Sequence, residues 1–166
     1  MAPDNTINNK FNIVPIHKYP ELMESCCELI NSEWPRNTVA RMRTLEKSND
    51  NLPTCLVLTK DDNQCVLAHL KLSPVPSNGK SCFVETVVVD KKYRGQGFGT
   101  ILMKYAEDYC REKLHLKIIY LSTKGQELFY EKLGYIICPP ISLYGQQTVT
   151  ELVLSTQYKT YMKKTI

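Results

Sequence analysis

The chain has 166 residues, of which 43% are hydrophobic and 23% are charged, and its formal net charge is +4. These values fit one globular domain with its own core, and no run of about 18 apolar residues predicts a membrane span. The mildly basic charge falls short of a dedicated nucleic-acid binder and suits an anionic ligand or an acidic partner. We predict a polar, flexible tail over residues 1–10 and a single domain over residues 11–166.

The first half of the chain predicts a strand, two helices and an antiparallel meander. In chain order these elements are a strand at 11–17, helices at 20–34 and 38–48, and strands at 52–60, 64–75 and 81–90. Pro20 suits the start of the first helix, and Pro35 ends it. The third of these strands, SCFVETVVVD, is nearly continuous in β-branched residues, as expected of a strand that is buried on both faces.

The second half alternates helices and strands. It predicts a helix at 100–114, a strand at 116–122, a helix at 124–134 that Gly134 caps, a short strand at 135–139, a loop at 140–152 and a closing strand at 156–164. An antiparallel meander that leads into a strand–helix–strand unit is typical of an α/β fold with a mixed sheet.

Seven cysteines are scattered mostly through apolar runs, and none forms a C-x-x-C pair. An odd number with this spacing predicts neither a disulfide framework nor a metal site. We therefore expect reduced, mostly buried thiols and a cytoplasmic protein. A thiol nucleophile is an alternative, although no cysteine has a neighbouring motif that supports it.

The segment YRGQGFGTIL, residues 93–102, places a glycine-rich turn between a strand and a helix. The first backbone N–H groups of a helix have no partner within it, so such a turn suits a phosphate. Gly99 is followed by Thr100 and not by lysine, which excludes a Walker A loop. The G-x-G-x-G spacing also departs from the dinucleotide fingerprint. The alternative is a turn that only connects the two elements.

The segment RGQGFG resembles the R/Q-x-x-G-x-G/A loop of the Gcn5-related N-acetyltransferase (GNAT) family, and the order of elements matches that family over nearly the whole chain. The resemblance implies an α/β GNAT fold of about seven strands and four helices, in which the strands at 81–90 and 116–122 splay apart. It implies acetyl-CoA as the cofactor. The implied cofactor-binding residues are Val87, Val88, Val89, Arg94, Gly95, Gln96, Gly97, Phe98, Gly99, Thr100 and Tyr130.

The segment QELFYEKLGY resembles a second family motif and places Tyr130 near the cofactor sulfur. A nearby O–H can protonate the thiolate that leaves when an amine attacks a thioester. The alternative is that Phe129 and Tyr130 are core aromatics, and for Phe129 we favour it.

A base is also needed, because an ammonium cannot attack a thioester until it loses a proton. We predict Glu85, which lies two residues before Val87 and should share its face of the strand. A structural carboxylate is the alternative. Ser122 and Thr123 would bind the amine or position a water, or else cap the next helix. His69, on a hairpin strand, and His115, at a helix end, are expected to be structural, and His17 has no predicted role.

Three of the five arginines lie in RNTVARMRTLEK, residues 36–47. Val39, Met42 and Leu45 are spaced to form one core-facing stripe. On spacing alone the arginines would be a solvated basic face. The family resemblance implies that this region lines the acceptor groove, and the implied substrate-binding residues are Trp34, Arg36, Arg41, Arg43, Thr44, Ser122 and Thr123.

Within the family, the segments at 31–45, 84–99 and 129–135 look like the members that acetylate the processed, acidic N-terminus of actin. An arginine-lined groove suits such a substrate. Some of those members carry a proline-rich insertion before the last strand that is implicated in profilin binding. Residues 139–157 hold no polyproline run, so the resemblance does not extend to profilin association.

The resemblance predicts an acetyl-CoA-dependent N-terminal protein acetyltransferase with an acidic protein N-terminus as its substrate and no metal. Two alternatives stay open. One is an acetyltransferase for small amines or lysine side chains on the same fold. The other is a catalytically silent acyl-CoA-binding module.

Overall fold

The computed structural model describes residues 6–7, 11–60, 64–143 and 159–166. Four α-helices lie in these ranges: α1 is Met23–Glu33, α2 is Thr38–Glu46, α3 is Phe98–Glu112 and α4 is Glu127–Lys132. Short 3-10 helices at Ile16–Lys18, Pro20–Leu22 and Lys91–Tyr93 connect the main elements. None of the described helices is long and apolar enough to cross a membrane.

Eight described strands form one mixed sheet. They are β1 (Thr6–Ile7), β2 (Phe11–Pro15), β3 (Thr54–Lys60), β4 (Cys65–Pro74), β5 (Ser81–Val89), β6 (Ile118–Thr123), β7 (Ile136–Ile137) and β8 (Thr160–Thr165). Their order across the sheet is β1-β2-β3-β4-β5-β6-β8-β7. Only β5 and β6 run parallel among these neighbours. The predicted mixed α/β sheet is therefore confirmed.

Two hydrophobic clusters cover the two faces of the sheet. On one face, buried side chains of α3 such as Leu102 pack with strand residues such as Val84 and with Tyr130 of α4. On the other face, α1 and Leu45 of α2 pack against a second set of strand residues that includes Val57. We call these two faces of the sheet the α3 face and the α1 face.

Six of the seven cysteines are buried, and all seven are free.

The parallel pair β5 and β6 separates part of the way along. Their paired residues run from Ser81 opposite Ile118 to Val84 opposite Leu121. Strand β5 then continues to Val89 and β6 to Thr123 without pairing to each other. The splay that the family resemblance implied is therefore present, and it begins after Val84.

A β-bulge in β5 lies at the start of this separation. His69 pairs with Val88 and Lys71 pairs with Glu85, so Leu70 alone lies opposite two residues of β5. One of those two is Thr86, whose φ is +55°. An extra residue in one strand interrupts the alternation of side chains between the two faces.

The bulge corrects the prediction that Glu85 and Val87 share a face. Glu85 lies opposite Lys71, which lies opposite Cys55 of the α1 face. Val87 packs instead against the α3 face. Because directly opposite residues share a face, the bulge places the carboxylate and Val87 on opposite sides of the sheet.

The predicted core stripe of α2 is also corrected in part. Leu45 is buried and Met42 packs against the α1 face, whereas Val39 is 59% exposed. Leu45, near the end of α2, is the buried residue of this helix, so its first turn contributes no buried side chain.

Several predicted boundaries shift in the structure. Helix α3 begins two residues earlier than predicted, at Phe98, and α4 is limited to Glu127–Lys132. Within the predicted tail, Thr6–Ile7 pair with β2. Most of the predicted loop at 140–152 and the start of the predicted strand at 156–164 lie outside the described residues.

Candidate active site

A cleft of about 1060 Å³ opens where β5 and β6 separate. Its floor is residues 83–89 of β5, and one end is formed by the glycine turn and the start of α3. The end of β6 and α4 form one wall, and the end of α1 and Arg41 form another. The splay of the sheet thus creates one continuous groove that reaches both faces.

The glycine turn presents a bare backbone to one end of this cleft. Gly97 precedes α3 with φ +86° and ψ +5°, a left-handed conformation that favours glycine. A Cβ atom built on Gly97 meets no atom within 4 Å, so the turn borders open space. The first N–H groups of α3 have no partner inside the helix and carry its positive dipole end. This end of the cleft is therefore suited to a phosphate or pyrophosphate.

The side chains of two predicted cofactor-binding residues form hydrogen bonds with other groups of the chain. The Arg94 guanidinium donates to the Val89 carbonyl at 2.9 Å and to the Glu33 carboxylate at 3.0 Å. Arg94 lines the cleft, and its contacts tie α1 to the end of β5. The side chain of Gln96 donates to the Lys92 carbonyl at 3.5 Å and does not line the cleft.

Two aromatic rings line the cleft on the α3 face. Tyr130 packs edge-on against Phe129, with ring centroids 4.9 Å apart, and against Tyr135 at 5.9 Å. No described residue forms a hydrogen bond with the Tyr130 hydroxyl. Burial raises the pKa of Tyr130 to about 12, so the phenol stays protonated near neutral pH. The arrangement provides one proton donor, held at the cleft by its neighbours.

The predicted base lies on the α1 face. The hydroxyl of Ser73 donates to the Glu85 carboxylate at 2.5 Å, and the Lys71 ammonium lies 3.9 Å from it. Glu85 also lines the cleft. The splayed sheet therefore separates the Glu85 carboxylate on the α1 face from the Tyr130 phenol on the α3 face, with the cleft between them.

Ser122 and Thr123 lie at the same end of β6 but on different faces. The Thr123 hydroxyl oxygen accepts a hydrogen bond from the Gln126 backbone N–H at 3.2 Å, so Thr123 caps the turn before α4. Because successive side chains of a strand lie on opposite faces, Ser122 lies on the α1 face, which is the face of Glu85. Both line the cleft, but only Ser122 has a hydroxyl without a described contact.

The arginine-rich segment divides into two parts. Arg41 lines the cleft with Trp34 and donates to the Trp34 carbonyl at 2.7 Å and to Asn31 Oδ1 at 3.1 Å. Burial and the nearby Arg36 charge lower the pKa of Arg41, which remains charged.

The other predicted residues of this segment lie outside the cleft lining. Arg36 donates to the Thr44 hydroxyl at 3.4 Å, and Arg43 is exposed. The 44% exposed side chain of Trp34 is available as an apolar wall.

Sequence reasoning missed several lining residues, of which Lys124 and Lys159 are the most informative. Lys124 follows β6 and Lys159 precedes β8, and the register of Thr123 opposite Thr160 makes the two lysines neighbours. No local pattern marks them, because they are brought together by an antiparallel pairing of distant segments. Among the described residues, no three His, Cys, Asp or Glu side chains gather in a way that could hold a metal ion.

The model of the acetyltransferase (GNAT) family matches residues 20–135, which include the cleft floor, the glycine turn and Tyr130. The chain belongs to the GNAT acetyltransferase family. It is 39% identical over 127 residues to N-alpha-acetyltransferase 80 from Mus musculus, a match that covers 74% of this chain and 40% of that protein. The chain thus spans less than half the length of this GNAT relative.

A second curated relative matches a shorter stretch of the chain. Glucosamine 6-phosphate N-acetyltransferase from Arabidopsis thaliana is 34% identical over 56 residues, which cover 34% of this chain and 38% of that protein.

Two solved structures share the fold. An aminoglycoside 6'-N-acetyltransferase complexed with coenzyme A has a TM-score of 0.71 at 17% identity, covering 92% of this chain and 96% of that one. Spermidine N-acetyltransferase from Vibrio cholerae, with CoA and spermine, has a TM-score of 0.68 at 16% identity, covering 95% and 96%.

The cleft of this GNAT chain fits the cofactor that its family uses. The pyrophosphate needs an exposed backbone cradle, and Gly97 and the first turn of α3 form one. The pantetheine arm needs free main-chain groups along a strand, and residues 85–89 of β5 are unpaired on the side of β6. Space behind the cradle is limited, because a Cβ on Gly99 would lie 3.3 Å from Phe129 Cζ.

Gly97→Ala is expected to weaken acetyl-CoA binding about ten-fold. An L-residue in the left-handed region costs on the order of 1–2 kcal/mol, and the turn would relax away from the geometry that presents its N–H groups. Isothermal calorimetry with acetyl-CoA measures the change. Gly79→Ala is the matched control, since its Cβ also meets no atom within 4 Å and its φ is not in the left-handed region. Unchanged binding by Gly97→Ala would remove the turn from the cofactor site.

Proposed function

We propose that this chain is a cytoplasmic N-terminal protein acetyltransferase that transfers acetyl from acetyl-CoA to the α-amine of an acidic N-terminus, with processed actin as the candidate substrate. The observation that carries the proposal is the charge at the acceptor end of the cleft. Arg41 borders it on one side, and Lys124 and Lys159 border it on the other. Three cations in the lining of one cleft favour a substrate with several carboxylates.

The two carboxylates of the described cleft lining, Glu33 and Glu85, have cationic neighbours of their own. Glu33 is paired with Arg94 at 3.0 Å, and Glu85 lies near Lys71 and accepts from Ser73. Arg36 adds to the positive field, since its charge acts on Arg41. The mouse relative is named an N-alpha-acetyltransferase, which supports a peptide α-amine as the acceptor.

The proposed chemistry assigns a task to each face of the sheet. Acetyl-CoA supplies the acetyl group as a thioester, and the amine attacks it directly. Glu85 on the α1 face accepts a proton from the incoming ammonium, directly or through a water. As the C–N bond forms and the C–S bond breaks, Tyr130 on the α3 face donates its hydroxyl proton to the leaving sulfur, and the second proton lost by the nitrogen restores the phenol. Ser122 lies on the face of Glu85 and would orient the amine, while Trp34 would form the apolar wall of the peptide channel.

A small-amine acetyltransferase is the second candidate, because the structural neighbours include enzymes named for spermidine and for aminoglycosides. Those acceptors are cations. The cluster of Arg41, Lys124 and Lys159 would repel them, which favours the acidic peptide.

Peptides that differ only in their first residues test the proposal. A peptide with three acidic residues at its N-terminus is expected to be acetylated with at least a ten-fold higher kcat/KM than a neutral peptide. Spermidine is the third acceptor in the comparison. The reason is Coulomb attraction between the acidic residues and the three cations, which also predicts that added salt narrows the difference. Equal rates for acidic, neutral and polyamine acceptors would contradict it.

Lys159→Glu is the variant for the same measurement. Reversing this exposed charge is expected to raise the KM for the acidic peptide about ten-fold and to leave the acetyl-CoA affinity unchanged. Lys104→Glu is its matched control, because Lys104 is also exposed but lies on α3 outside the cleft. A similar effect of both substitutions would show that Lys159 acts only through the net charge of the protein, and would contradict its place in the acceptor site.

A further inference from the structure

His69 of β4 is a buried residue that the proposed chemistry does not use. Its side chain is on the α1 face, opposite Val57 on one side and Val88 on the other, and is 1% exposed. Burial of a histidine costs free energy unless its ring nitrogens form hydrogen bonds, because they lose their contacts with water. Its only described polar contact joins Nδ1 to the Thr86 carbonyl oxygen at 2.8 Å.

That contact defines which ring nitrogen carries the proton. A carbonyl oxygen can only accept, so Nδ1 must be the donor and Nε2 must be unprotonated in the neutral ring. Burial lowers the pKa of His69 to about 4, with help from the positive charges of Lys71 and Arg41, so the ring is neutral near pH 7. Nε2 is buried and has no partner among the described residues.

The Thr86 carbonyl belongs to the bulged residue of β5. Its φ of +55° is unusual for threonine, since a β-branched side chain disfavours the left-handed region. The backbone there has left the regular ladder, so its carbonyl needs a partner from elsewhere. His69 supplies that partner from the neighbouring strand.

The position of the bulge connects this contact to the cleft. Strand β5 stops pairing with β6 after Val84, and the bulge follows two residues later. On its two sides lie Glu85 on the α1 face and Val87 on the α3 face. The conformation of Thr86 therefore determines both the free edge of β5 and the direction of the Glu85 side chain.

We propose that His69 is the positioning residue of the cofactor cleft: its hydrogen bond to the Thr86 carbonyl holds β5 in the bulged conformation that opens the strand edge for the pantetheine arm. This inference rests on the proposed acetyl-CoA site. His69 itself touches neither substrate, and it acts only through the backbone of Thr86.

A double-mutant cycle on the full chain separates this role from simple packing. His69→Leu fills similar space without a donor, whereas His69→Asn keeps an N–H group near the place of Nδ1. We expect His69→Leu to weaken acetyl-CoA binding about ten-fold by calorimetry and His69→Asn by less than three-fold. The partner substitution is Thr86→Gly, since glycine adopts the left-handed conformation without support.

In the Thr86→Gly background, His69→Leu is expected to cost less than three-fold, relative to Thr86→Gly alone. An equal cost in both backgrounds overturns the proposal and leaves His69 as a packing residue. If His69→Leu does not fold alone, thermal unfolding gives the same answer: adding Thr86→Gly must restore a folded protein, and failure to do so overturns it.

A spectroscopic measurement is independent of the cofactor. The ¹⁵N shifts of labelled His69 should report the neutral ring with its proton on Nδ1, and a proton on Nε2 would exclude the hydrogen bond to Thr86. Failure of the acetyl-CoA site and failure of the positioning role give different results. A wild-type chain that does not bind acetyl-CoA contradicts the proposed function, whereas binding that is indifferent to His69→Leu contradicts only the positioning role.

Discussion

Tyr130→Phe is expected to lower kcat about a hundred-fold and to leave the acetyl-CoA affinity nearly unchanged. General acid catalysis contributes on the order of 10²–10⁴ in rate, and the substitution removes only the hydroxyl that would protonate the leaving sulfur. The ring and its edge-on contacts with Phe129 and Tyr135 stay in place. Steady-state kinetics with an acidic peptide, together with calorimetry, measure the two quantities.

Tyr135→Phe is the matched control for this prediction. Tyr135 belongs to the same aromatic group, but its hydroxyl is buried without a described partner and does not line the cleft. Its loss is expected to leave kcat unchanged. An equal loss of kcat in the two variants would assign the effect to aromatic packing, and a fully active Tyr130→Phe would remove the proton donor from the mechanism.

Lys164→Met is expected to lower the free energy of unfolding by about 3–5 kcal/mol, because it leaves a buried carboxylate without its partner. The Lys164 ammonium donates to both carboxylate oxygens of Glu107, at 3.0 and 2.9 Å. Glu107 is 5% exposed and lies on α3, whereas Lys164 lies on β8. The pair therefore joins the helix that carries the glycine turn to the strand beyond the splay. Urea unfolding measures the change.

Two further variants make the measurement specific. Adding Glu107→Leu to Lys164→Met is expected to recover most of the loss, since apolar residues in place of a buried pair are often neutral or better. Arg111→Met breaks the pair with Asp108 on the exposed side of the same helix, where both partners are nearly half exposed, and should cost less than about 1 kcal/mol. Equal costs for Lys164→Met and Arg111→Met would show that burial adds nothing to the interior pair.

The glycine turn is the part of the site that the sequence predicts best. Its geometry depends on residues that are adjacent in the chain, and only glycine tolerates the left-handed conformation found at Gly97. The helix that follows is amphipathic over 15 residues, so its existence and its buried face are local properties as well. The end of the cleft that the glycine turn forms could therefore be predicted without knowledge of tertiary contacts.

The faces of β5 could not be predicted from the same kind of reasoning. Simple alternation places Glu85 and Val87 together, and the bulge at Thr86 separates them. Threonine has no preference for a positive φ, so no residue type announces the bulge. It is stabilised by His69, which lies on another strand and 17 residues away.

The role of the arginine-rich helix α2 could be predicted only in part. Three arginines within eight residues predict a basic surface, but the spacing leaves open which of them borders the cleft. The packing of α1 against α2 decides it, because Arg41 reaches back to Asn31 and Trp34 and lines the cleft, while Arg43 is exposed outside it. The cations on the other side of the opening, Lys124 and Lys159, come together only through the pairing of β6 with β8.

The sequence by itself determined the family, the order of elements, the glycine cradle and the candidate residues Tyr130 and Glu85, because each follows from neighbouring residues or from short motifs. Only the tertiary structure decided the faces of the sheet on which those two side chains lie, the arginine that borders the cleft and the buried pair of Glu107 and Lys164. Each of these depends on a contact between residues far apart in the chain. Local propensity contains no information about such contacts, and packing of the sheet and helices creates them.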